Sequence, residues 1–167
     1  DAKPFYQHRV EQAPKGVRIE TVEADETRPQ FIGGSLLTLM HTTQLAAISQ
    51  DPWFSRMGSL EYADHVALDL DPMPGVPFAR VLEVAQWLRD DLEMLGAIGV
   101  PKTSGSDGLH IYIPLGRETP YEAGLFFCQI VAELVGARHP QHISTERMVK
   151  ARGTTTVYVD CLQNVYG

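Results

Sequence analysis

One short segment, residues 65–71 (HVALDLD), constrains the fold of this chain more than any other. Its apolar and polar residues alternate, which predicts a β-strand with one buried face, and a turn-forming run rich in Pro and Gly ends it. Asp69 and Asp71 then lie side by side on the face opposite the apolar residues. Two carboxylates this close repel each other unless a cation lies between them, and Mg²⁺ or Mn²⁺ suits such oxygen ligands. Taken alone, the pair is more often a solvated strand end.

Two further segments repeat this alternation. In residues 109–113 (LHIYI), His110 and Tyr112 share the polar face, and in residues 157–160 (VYVD), Asp160 opposes the two valines. Three strands of this kind can gather Asp, His and Asp on one sheet. A third carboxylate is what a two-metal phosphoryl-transfer site needs. A single histidine in a strand more often has a structural role, so His110 alone does not indicate a functional site.

The segment between two predicted strands, residues 102–108 (KTSGSDG), is rich in glycine and small hydroxyl residues. Such a turn can direct backbone N–H groups toward an anion, and Lys102 adds a positive charge. The GxxxxGK[ST] order of a P-loop is absent from it. An ordinary hairpin turn explains the segment equally well.

Strand and helix patterns are intermixed along the chain, which predicts one domain over residues 1–167. The pattern predicts strands at 16–21, 65–70, 98–102, 108–114 and 156–160, and helices at 35–48, about 78–95 and about 119–136. Thr119-Pro120-Tyr121-Glu122 has the form of a capping box that opens the last helix. The fold class is therefore α/β (α+β), with antiparallel pairs in a sheet flanked by helices.

Charge leaves nucleic-acid binding undecided. The chain has 21 Asp and Glu against 14 Lys and Arg, whereas nucleic-acid binders usually have a basic surface. Residues 138–152, however, contain four Arg or Lys and two His against one Glu, and a local basic strip can meet phosphates. His139 and His142 within it suit a surface or phosphate-facing position better than a zinc site.

Two cysteines and the hydropathy pattern bear on location. Cys128 and Cys161 lie in apolar surroundings without metal-ligand spacing, so we expect buried, reduced thiols. No apolar run has the length of a membrane span. We therefore expect a cytoplasmic protein without a membrane partner.

Taken in order, these segments resemble the three motifs of the archaeo-eukaryotic primase superfamily: a D-x-D strand, an S-G-x-x-G-x-H turn and strand, and a later strand ending in Asp. Longer strings resemble the polymerase domain of ligase D from bacterial and archaeal end joining. These strings are FYQ at 5–7, DPW at 51–53, DLDP at 69–72, PKTSGSDGLHIYIPL at 101–115 and VDCLQN at 159–164. Because the match covers nearly the whole chain with similar spacing, it favours a functional interpretation of the aspartates and a primase-type catalytic fold.

The resemblance implies a two-metal nucleotidyltransferase that adds nucleotides, with ribonucleotides expected, to DNA 3′ ends in end-joining repair. Asp69, Asp71 and Asp160 would hold two ions, Mn²⁺ or Mg²⁺, that bridge the triphosphate and the primer 3′-hydroxyl. The implied substrates are NTP or dNTP and DNA with a 3′-hydroxyl primer and a 5′-phosphate. A Ku-like end-binding protein and a DNA ligase are the implied partners, and a nucleoid-associated location is expected.

The resemblance also implies nucleotide contacts. For the triphosphate these are Ser104, His110 and Arg152, with Lys102 and Lys150 as weaker candidates. Phe5 and Tyr6 match an aromatic pair that can stack on a base, and the less favoured alternative is an aromatic anchor for the terminus. Gln163 and Asn164 match a Q-N pair, for which a structural role and a substrate-positioning role both stay open.

Three positions depart from the family pattern. Family members commonly have Lys where Asp107 stands, His or Asn where Asp51 precedes Pro-Trp, and Lys where His8 follows FYQ. Each change favours weaker phosphate or nucleotide binding and leaves the metal carboxylates intact. Relatives also extend further in both directions, so we expect the domain to be incomplete at both ends relative to the family.

Two other functions stay open. A catalytically weakened DNA-end or nucleotide-binding module is motivated by Asp107 and Asp51 and opposed by the intact carboxylates. A metal-dependent phosphohydrolase is the third, since carboxylates do not choose between water and a 3′-hydroxyl as nucleophile. The lack of a His-rich metal set makes it the weakest of the three.

Overall fold

A computed structural model describes residues 10, 12–22 and 29–166 of the chain. By its internal packing the chain divides into two compact units. The first unit contains the described residues up to Trp53, and the second runs from Phe54 to Tyr166. The expectation of a single domain stays a prediction.

The first unit is built from two short strands and one helix. Its elements are β1 (Ile19–Thr21), β2 (Pro29–Phe31) and α1 (Leu36–Gln44). The two strands pair in antiparallel fashion. Ser35 caps the helix, because its Oγ accepts a hydrogen bond from the Thr38 N–H at 3.0 Å. The helix ends earlier than the predicted 35–48, and Ala46 beyond it has the left-handed φ of 60° that stops helical hydrogen bonding.

The second unit is a five-stranded sheet with two long helices. Its elements are β3 (His65–Pro72), α2 (Phe78–Met94), β4 (Val100–Thr103), β5 (Leu109–Pro114), α3 (Tyr121–Arg138), β6 (Ile143–Ser144), a 3₁₀ turn (Val149–Ala151) and β7 (Val157–Asp160). The strand order is β4-β5-β3-β7-β6, in which β6 and β7 pair in parallel and every other neighbouring pair is antiparallel. The predicted mixed fold with a mainly antiparallel central sheet is confirmed.

The central strand β3 divides the sheet into an apolar face and a polar face. Val66, Leu68 and Leu70 are fully buried and belong to one core cluster with the inner sides of α2 and α3. Burial of each such side chain contributes about 1.5–3 kcal/mol. Since alternate residues point to opposite faces, Asp69 and Asp71 lie on the side of the sheet that the helices leave uncovered.

One local prediction was wrong: the capping box at 119–122. α3 begins at Tyr121 with Pro120 at its N-cap, and no side chain caps it. The Thr119 Oγ1 instead donates a hydrogen bond to the Gly116 carbonyl at 2.7 Å. Pro120 has an extended ψ of 148°, so the helix starts one residue later than a Thr cap would require.

The cysteines are buried and unpaired, as predicted, and burial raises the pKa of each thiol to about 12. Within the part of the chain that the structure describes, no helix combines the length and apolarity needed to cross a membrane.

Candidate active site

The register of the central sheet aligns four polar residues in one row. Asp69 on β3 is the cross-strand partner of Asp160 on β7 and of His110 on β5. His110 is in turn the partner of Lys102 on β4. Direct partners of an antiparallel ladder lie on the same face with Cβ atoms about 4.5–5.5 Å apart. The structure therefore brings together the strand residues that the sequence singled out, and we call these four the polar row.

Asp71 lies beside this row rather than in it. It is two residues farther along β3, exposed, and paired across the ladder with Tyr158. Tyr158 is buried, and its side chain interacts with Asp160. Burial, and then the Asp160 charge, raise the pKa of Tyr158, so its hydroxyl stays protonated and able to donate. Sequence reasoning missed Tyr158, although period-two alternation places it on the same face as Asp160.

Asp69 is in an unfavourable electrostatic environment. Among the described residues its Oδ1 atom accepts no hydrogen bond, although His110 Nε2 lies 3.4 Å away. Burial raises the pKa of Asp69, and the charges of Asp71 and Asp160 raise it further, while His110 lowers it. A carboxylate disfavoured by burial and by like charges gains free energy when a cation approaches.

The carboxylates match a divalent cation in their chemistry, since all three offer hard oxygen ligands. Within residues 10, 12–22 and 29–166, however, no three His, Cys, Asp or Glu side chains converge closely enough to hold a metal ion. One reason is that the Asp160 Oδ1 accepts a hydrogen bond from the Leu162 N–H at 2.8 Å and so faces its own chain. Metal binding therefore requires the side chains to turn toward one another.

His110 links the carboxylates to an aromatic group. Its Nδ1 lies 3.4 Å from the Tyr112 hydroxyl, and its Nε2 faces Asp69. A neutral imidazole that accepts a hydrogen bond at Nδ1 carries its proton at Nε2. If the Tyr112 hydroxyl donates to Nδ1, the Nε2 of His110 is the ring donor and faces Asp69.

The turn at 104–108 packs against the end of β3. The Ser104 Oγ accepts hydrogen bonds from the N–H groups of Ser106 (3.3 Å) and Gly108 (3.2 Å). A Cβ atom on Gly108 would lie 2.6 Å from the Leu70 carbonyl oxygen and 3.4 Å from Asp71 Oδ1. Only glycine permits this approach, so the hairpin turn stands directly beside a carboxylate.

Asp107, in the same turn, is exposed. Together with residues 72–76 and Phe78 it lines a cavity of about 280 Å³ next to the end of β3. An additional negative charge at the edge of a carboxylate site opposes the binding of anionic phosphate.

The cationic side chains named by the sequence mostly contact backbone. Lys102 Nζ donates to the Thr103 carbonyl at 3.1 Å. Arg152 donates from Nε and Nη2 to two backbone carbonyls at 2.7 and 2.8 Å. Its guanidinium also lies 3.4 Å from the centre of the ring of Tyr158, the cross-strand partner of Asp71. Lys150 is exposed in the 3₁₀ turn.

The proposed basic strip is interrupted at its start. Arg138 forms an ion pair with Asp91 between α3 and α2. His139 stacks on Trp87 with ring centroids 3.7 Å apart, and His142 lies tilted 5.8 Å from the same ring. These three residues therefore belong to the packing of the helices, and only the 147–152 portion of the strip leads toward the site.

Gln163 and Asn164 make structural contacts with the central strand. Asn164 is fully buried, its Oδ1 accepts from the Ala67 N–H, and its Nδ2 donates to the Ala67 carbonyl, both at 2.7 Å. Gln163 Nε2 donates to the same carbonyl at 2.8 Å and to the Asp160 carbonyl at 3.3 Å. The structure thus gives the Q-N pair a clear structural role.

Three further residues with implied or doubtful roles lie outside the described residues or in the first unit. Phe5 and Tyr6 lie outside the described residues, so their role in base stacking stays a prediction. Asp51 is exposed and belongs to the first unit.

The mainly antiparallel sheet and the carboxylates, with a Ser-Gly turn packed beside them, define an α/β domain of the primase-polymerase type. The particular family follows from comparison with known sequences. The family model described as "LigD, primase-polymerase domain" matches residues 1–167, and the chain belongs to that family.

Solved and curated relatives agree. The structure is similar to the polymerase domain from Mycobacterium tuberculosis ligase D in complex with DNA, with a TM-score of 0.82 and 30% identity, over 99% of this chain and 61% of that one. The multifunctional non-homologous end joining protein LigD of Pseudomonas aeruginosa is 31% identical over 129 residues, which is 77% of this chain. The bifunctional LigD of Bacillus subtilis is 35% identical over 103 residues, or 61% of this chain. The chain spans only 15% and 17% of these two proteins.

Proposed function

We propose that this chain is a nucleotidyltransferase of the polymerase or primase type that adds nucleotides to DNA 3′ ends during end joining. Family membership supports the class of reaction. The observation that carries the proposal is the environment of Asp69, which has Asp160 as its cross-strand partner and Asp71 two residues along the same strand, and whose Oδ1 accepts no hydrogen bond from the described residues. Such a concentration of negative charge is useful where cations are bound.

Asp69, Asp71 and Asp160 would hold the divalent ions, Mn²⁺ or Mg²⁺. When bound, the ions supply a lowered pKa at the primer 3′-hydroxyl and stabilisation of negative charge on the transferred phosphoryl group. The chain contributes ligands attached to two paired β-strands, and a rigid scaffold of this kind limits how far the ligands can drift.

The triphosphate would lie against the hairpin turn and Arg152. His110 would contact a phosphate oxygen through its imidazole, and Ser104 shapes the turn. Arg152 has five N–H donors, so the two that bind backbone carbonyls leave others for phosphate, and Tyr158 holds the guanidinium plane in place. Lys102 and Lys150 are weaker candidates, and Phe5 with Tyr6 would stack on a base.

DNA with a 3′-hydroxyl primer and a 5′-phosphate is the proposed second substrate. The printed names of the relatives describe non-homologous end joining proteins, and the solved relative is in complex with DNA. By the same resemblance we propose ribonucleotides as the preferred substrates, and a Ku-like protein and a DNA ligase as partners.

A catalytically weakened nucleotide- or DNA-end-binding module is the second candidate. It is favoured by Asp107, whose charge stands at the edge of the site where the family pattern has Lys.

Primer extension separates the two candidates. The substrate is a recessed DNA duplex with a 5′-phosphate, incubated with Mn²⁺ and either NTPs or dNTPs, and the wild type is compared with Asp71→Ala. Extension by the wild type alone supports the polymerase, and the NTP-to-dNTP ratio reports the sugar preference. No extension by either protein, with NTP or DNA binding retained, would favour the weakened module.

A further inference from the structure

Asn164 takes the place of a strand residue beside the candidate active site. β7 ends at Asp160, yet the Asn164 side-chain amide continues the ladder with β3. Its Oδ1 and Nδ2 bond the N–H and the carbonyl of Ala67 at 2.7 Å each, and Nδ2 also donates to the Cys161 carbonyl at 2.9 Å. The contact joins positions 97 residues apart in the chain.

The antiparallel register explains why Ala67 needs such a partner. Asp69 pairs with Asp160, and Asp71 pairs with Tyr158. Backbone groups of alternate residues point to the same neighbouring strand, so the N–H and carbonyl of Ala67 also point toward β7. The strand has ended by then, and buried backbone groups without partners are costly. Asn164 satisfies both groups at once.

This arrangement fixes the position of Asp160 relative to Asp69. Asp160 lies four residues before Asn164, its carbonyl accepts from Gln163, and its Oδ1 accepts from the Leu162 N–H. A short segment is therefore fastened to β3 at the ladder position next to the Asp69–Asp160 pair. If the fastening loosened, the end of β7 could move away from β3 and carry the Asp160 carboxylate with it.

We infer that Asn164 is a positioning residue that sets the separation of the Asp69 and Asp160 carboxylates and thereby the affinity of the site for divalent cations. The inference rests on the proposed function, because it assumes that these carboxylates hold the ions. Residues that orient metal ligands without touching the metal commonly change metal affinity by about 10–100-fold when mutated. Asn164 itself contacts neither metal nor substrate.

A merely structural role would also make Asn164→Ala destabilising, so a matched control is needed. Asp91→Asn provides it, because Asp91 is another buried polar residue that pairs with Arg138 between α2 and α3, on the helix-covered side of the sheet. Asn164→Asp is the second site variant. It keeps the acceptor for the Ala67 N–H and loses both donors, and its volume is nearly unchanged.

The experiment is a Mn²⁺ titration followed by electron paramagnetic resonance on the wild type, Asn164→Ala, Asn164→Asp and Asp91→Asn, each below its own melting temperature. Amide hydrogen exchange at Ala67 accompanies it. We expect both Asn164 variants to weaken Mn²⁺ binding by at least about tenfold and to speed exchange at Ala67. The Mn²⁺ affinity of Asp91→Asn should stay within about twofold of the wild-type value. Asp91 is neither a proposed metal ligand nor a residue that orients one.

In primer extension the two Asn164 variants should have a lower kcat and should need a higher Mn²⁺ concentration for half-maximal rate. Their KM for NTP should change little. Wild-type Mn²⁺ affinity in the Asn164 variants, despite faster exchange at Ala67, would overturn the positioning role and leave the proposed function standing. Absence of Mn²⁺ binding by the wild type would instead overturn the metal assignment, and the inference with it. If Asn164→Ala does not fold, Asn164→Asp decides between these outcomes.

Discussion

Two carboxylates on opposite sides of the central sheet have opposite partners. Asp91 on α2 has a side chain only 7% exposed, and the guanidinium of Arg138 on α3 is paired with it. Asp69 on β3 is 32% exposed and has two further carboxylates as neighbours, with the His110 imidazole 3.4 Å away. The charge of Asp91 is neutralised by Arg138, whereas Asp69 has other negatively charged carboxylates as neighbours.

The difference distinguishes an acid with a cationic partner from an acid crowded by other acids. A buried ion pair is strongly destabilised by loss of one partner, so Asp91 and Arg138 belong to the packing of the helices. Crowded carboxylates weaken the folded state, and such local conflicts are expected at functional sites. The helix-covered side of the sheet thus contains an acid paired with a cation, whereas the opposite side gathers carboxylates that would bind cations under the proposed function.

The largest expected effect is on catalysis. Asp69→Ala should lower primer extension by at least about a thousandfold, since several kcal/mol of metal-dependent stabilisation would be lost. Because the substitution relieves repulsion, the melting temperature measured in chelator should not fall. Asp91→Ala is the contrasting variant. Its melting temperature should fall, because the substitution removes the partner of Arg138. If Asp69→Ala extends primers as fast as the wild type, Asp69 has no catalytic role and does not differ from Asp91 in this respect.

The second effect is on stability. Arg138→Met leaves the Asp91 charge without its partner and should lower the free energy of unfolding by about 2 kcal/mol. That is less than for a fully enclosed pair, because the guanidinium is half exposed. Urea unfolding measures it. Arg89→Met, which removes exposed ion pairs with Asp90 and Glu93, is the control and should leave the free energy of unfolding nearly unchanged. Equal losses in the two variants would contradict the structural role of Asp91.

These two predictions mark what sequence could and could not supply. Asp69, Asp160 and His110 were found on one face because strand alternation is a local property that survives any packing. The Asp91–Arg138 and Asn164–Ala67 contacts join segments that are far apart in the chain. No local sequence pattern in these segments predicts which residues will meet. The capping box failed because the Thr119 hydroxyl is directed toward the Gly116 carbonyl in the preceding turn, and α3 begins only at Tyr121 with Pro120 at the N-cap. Alternation alone places Tyr158 on the face of Asp160, so this residue was within reach of the sequence.

A third prediction concerns pH. The pKa of Asp69 is raised in the folded state by burial and neighbouring charge, so the folded state binds the proton more tightly than the unfolded state. Stability is then lost as pH rises from the unfolded value of 3.8 through the folded pKa, and the loss is complete above it. In chelator, Asp69→Asn should match the wild type in melting temperature at the acid end. It should exceed the wild type by roughly 2–4 °C at neutral pH.

A difference between the two proteins that does not change with pH would show that the Asp69 charge is not the destabilising element. Asp91→Asn, measured in parallel, should lower the melting temperature at neutral pH, because there the carboxylate has a cation beside it.

The smallest effect is at the rim of the site. Asp107→Lys replaces an exposed anion with a cation beside the cavity at the end of β3 and should lower the KM for NTP by about two- to fivefold. Asp107→Asn should give a smaller change in the same direction. Steady-state extension at varied NTP measures both, and an unchanged KM in both variants would mean that the side chain faces away from the triphosphate.

The most direct test of the central claim is a crystal structure with Mn²⁺ and a non-hydrolysable nucleoside triphosphate, using anomalous scattering to locate the metal. The account predicts manganese peaks bound by the carboxylates of Asp69, Asp71 and Asp160, with the side chains turned toward one another, and no such peak beside Asp91. Manganese bound elsewhere on the chain, with these three carboxylates left as they are here, would contradict it.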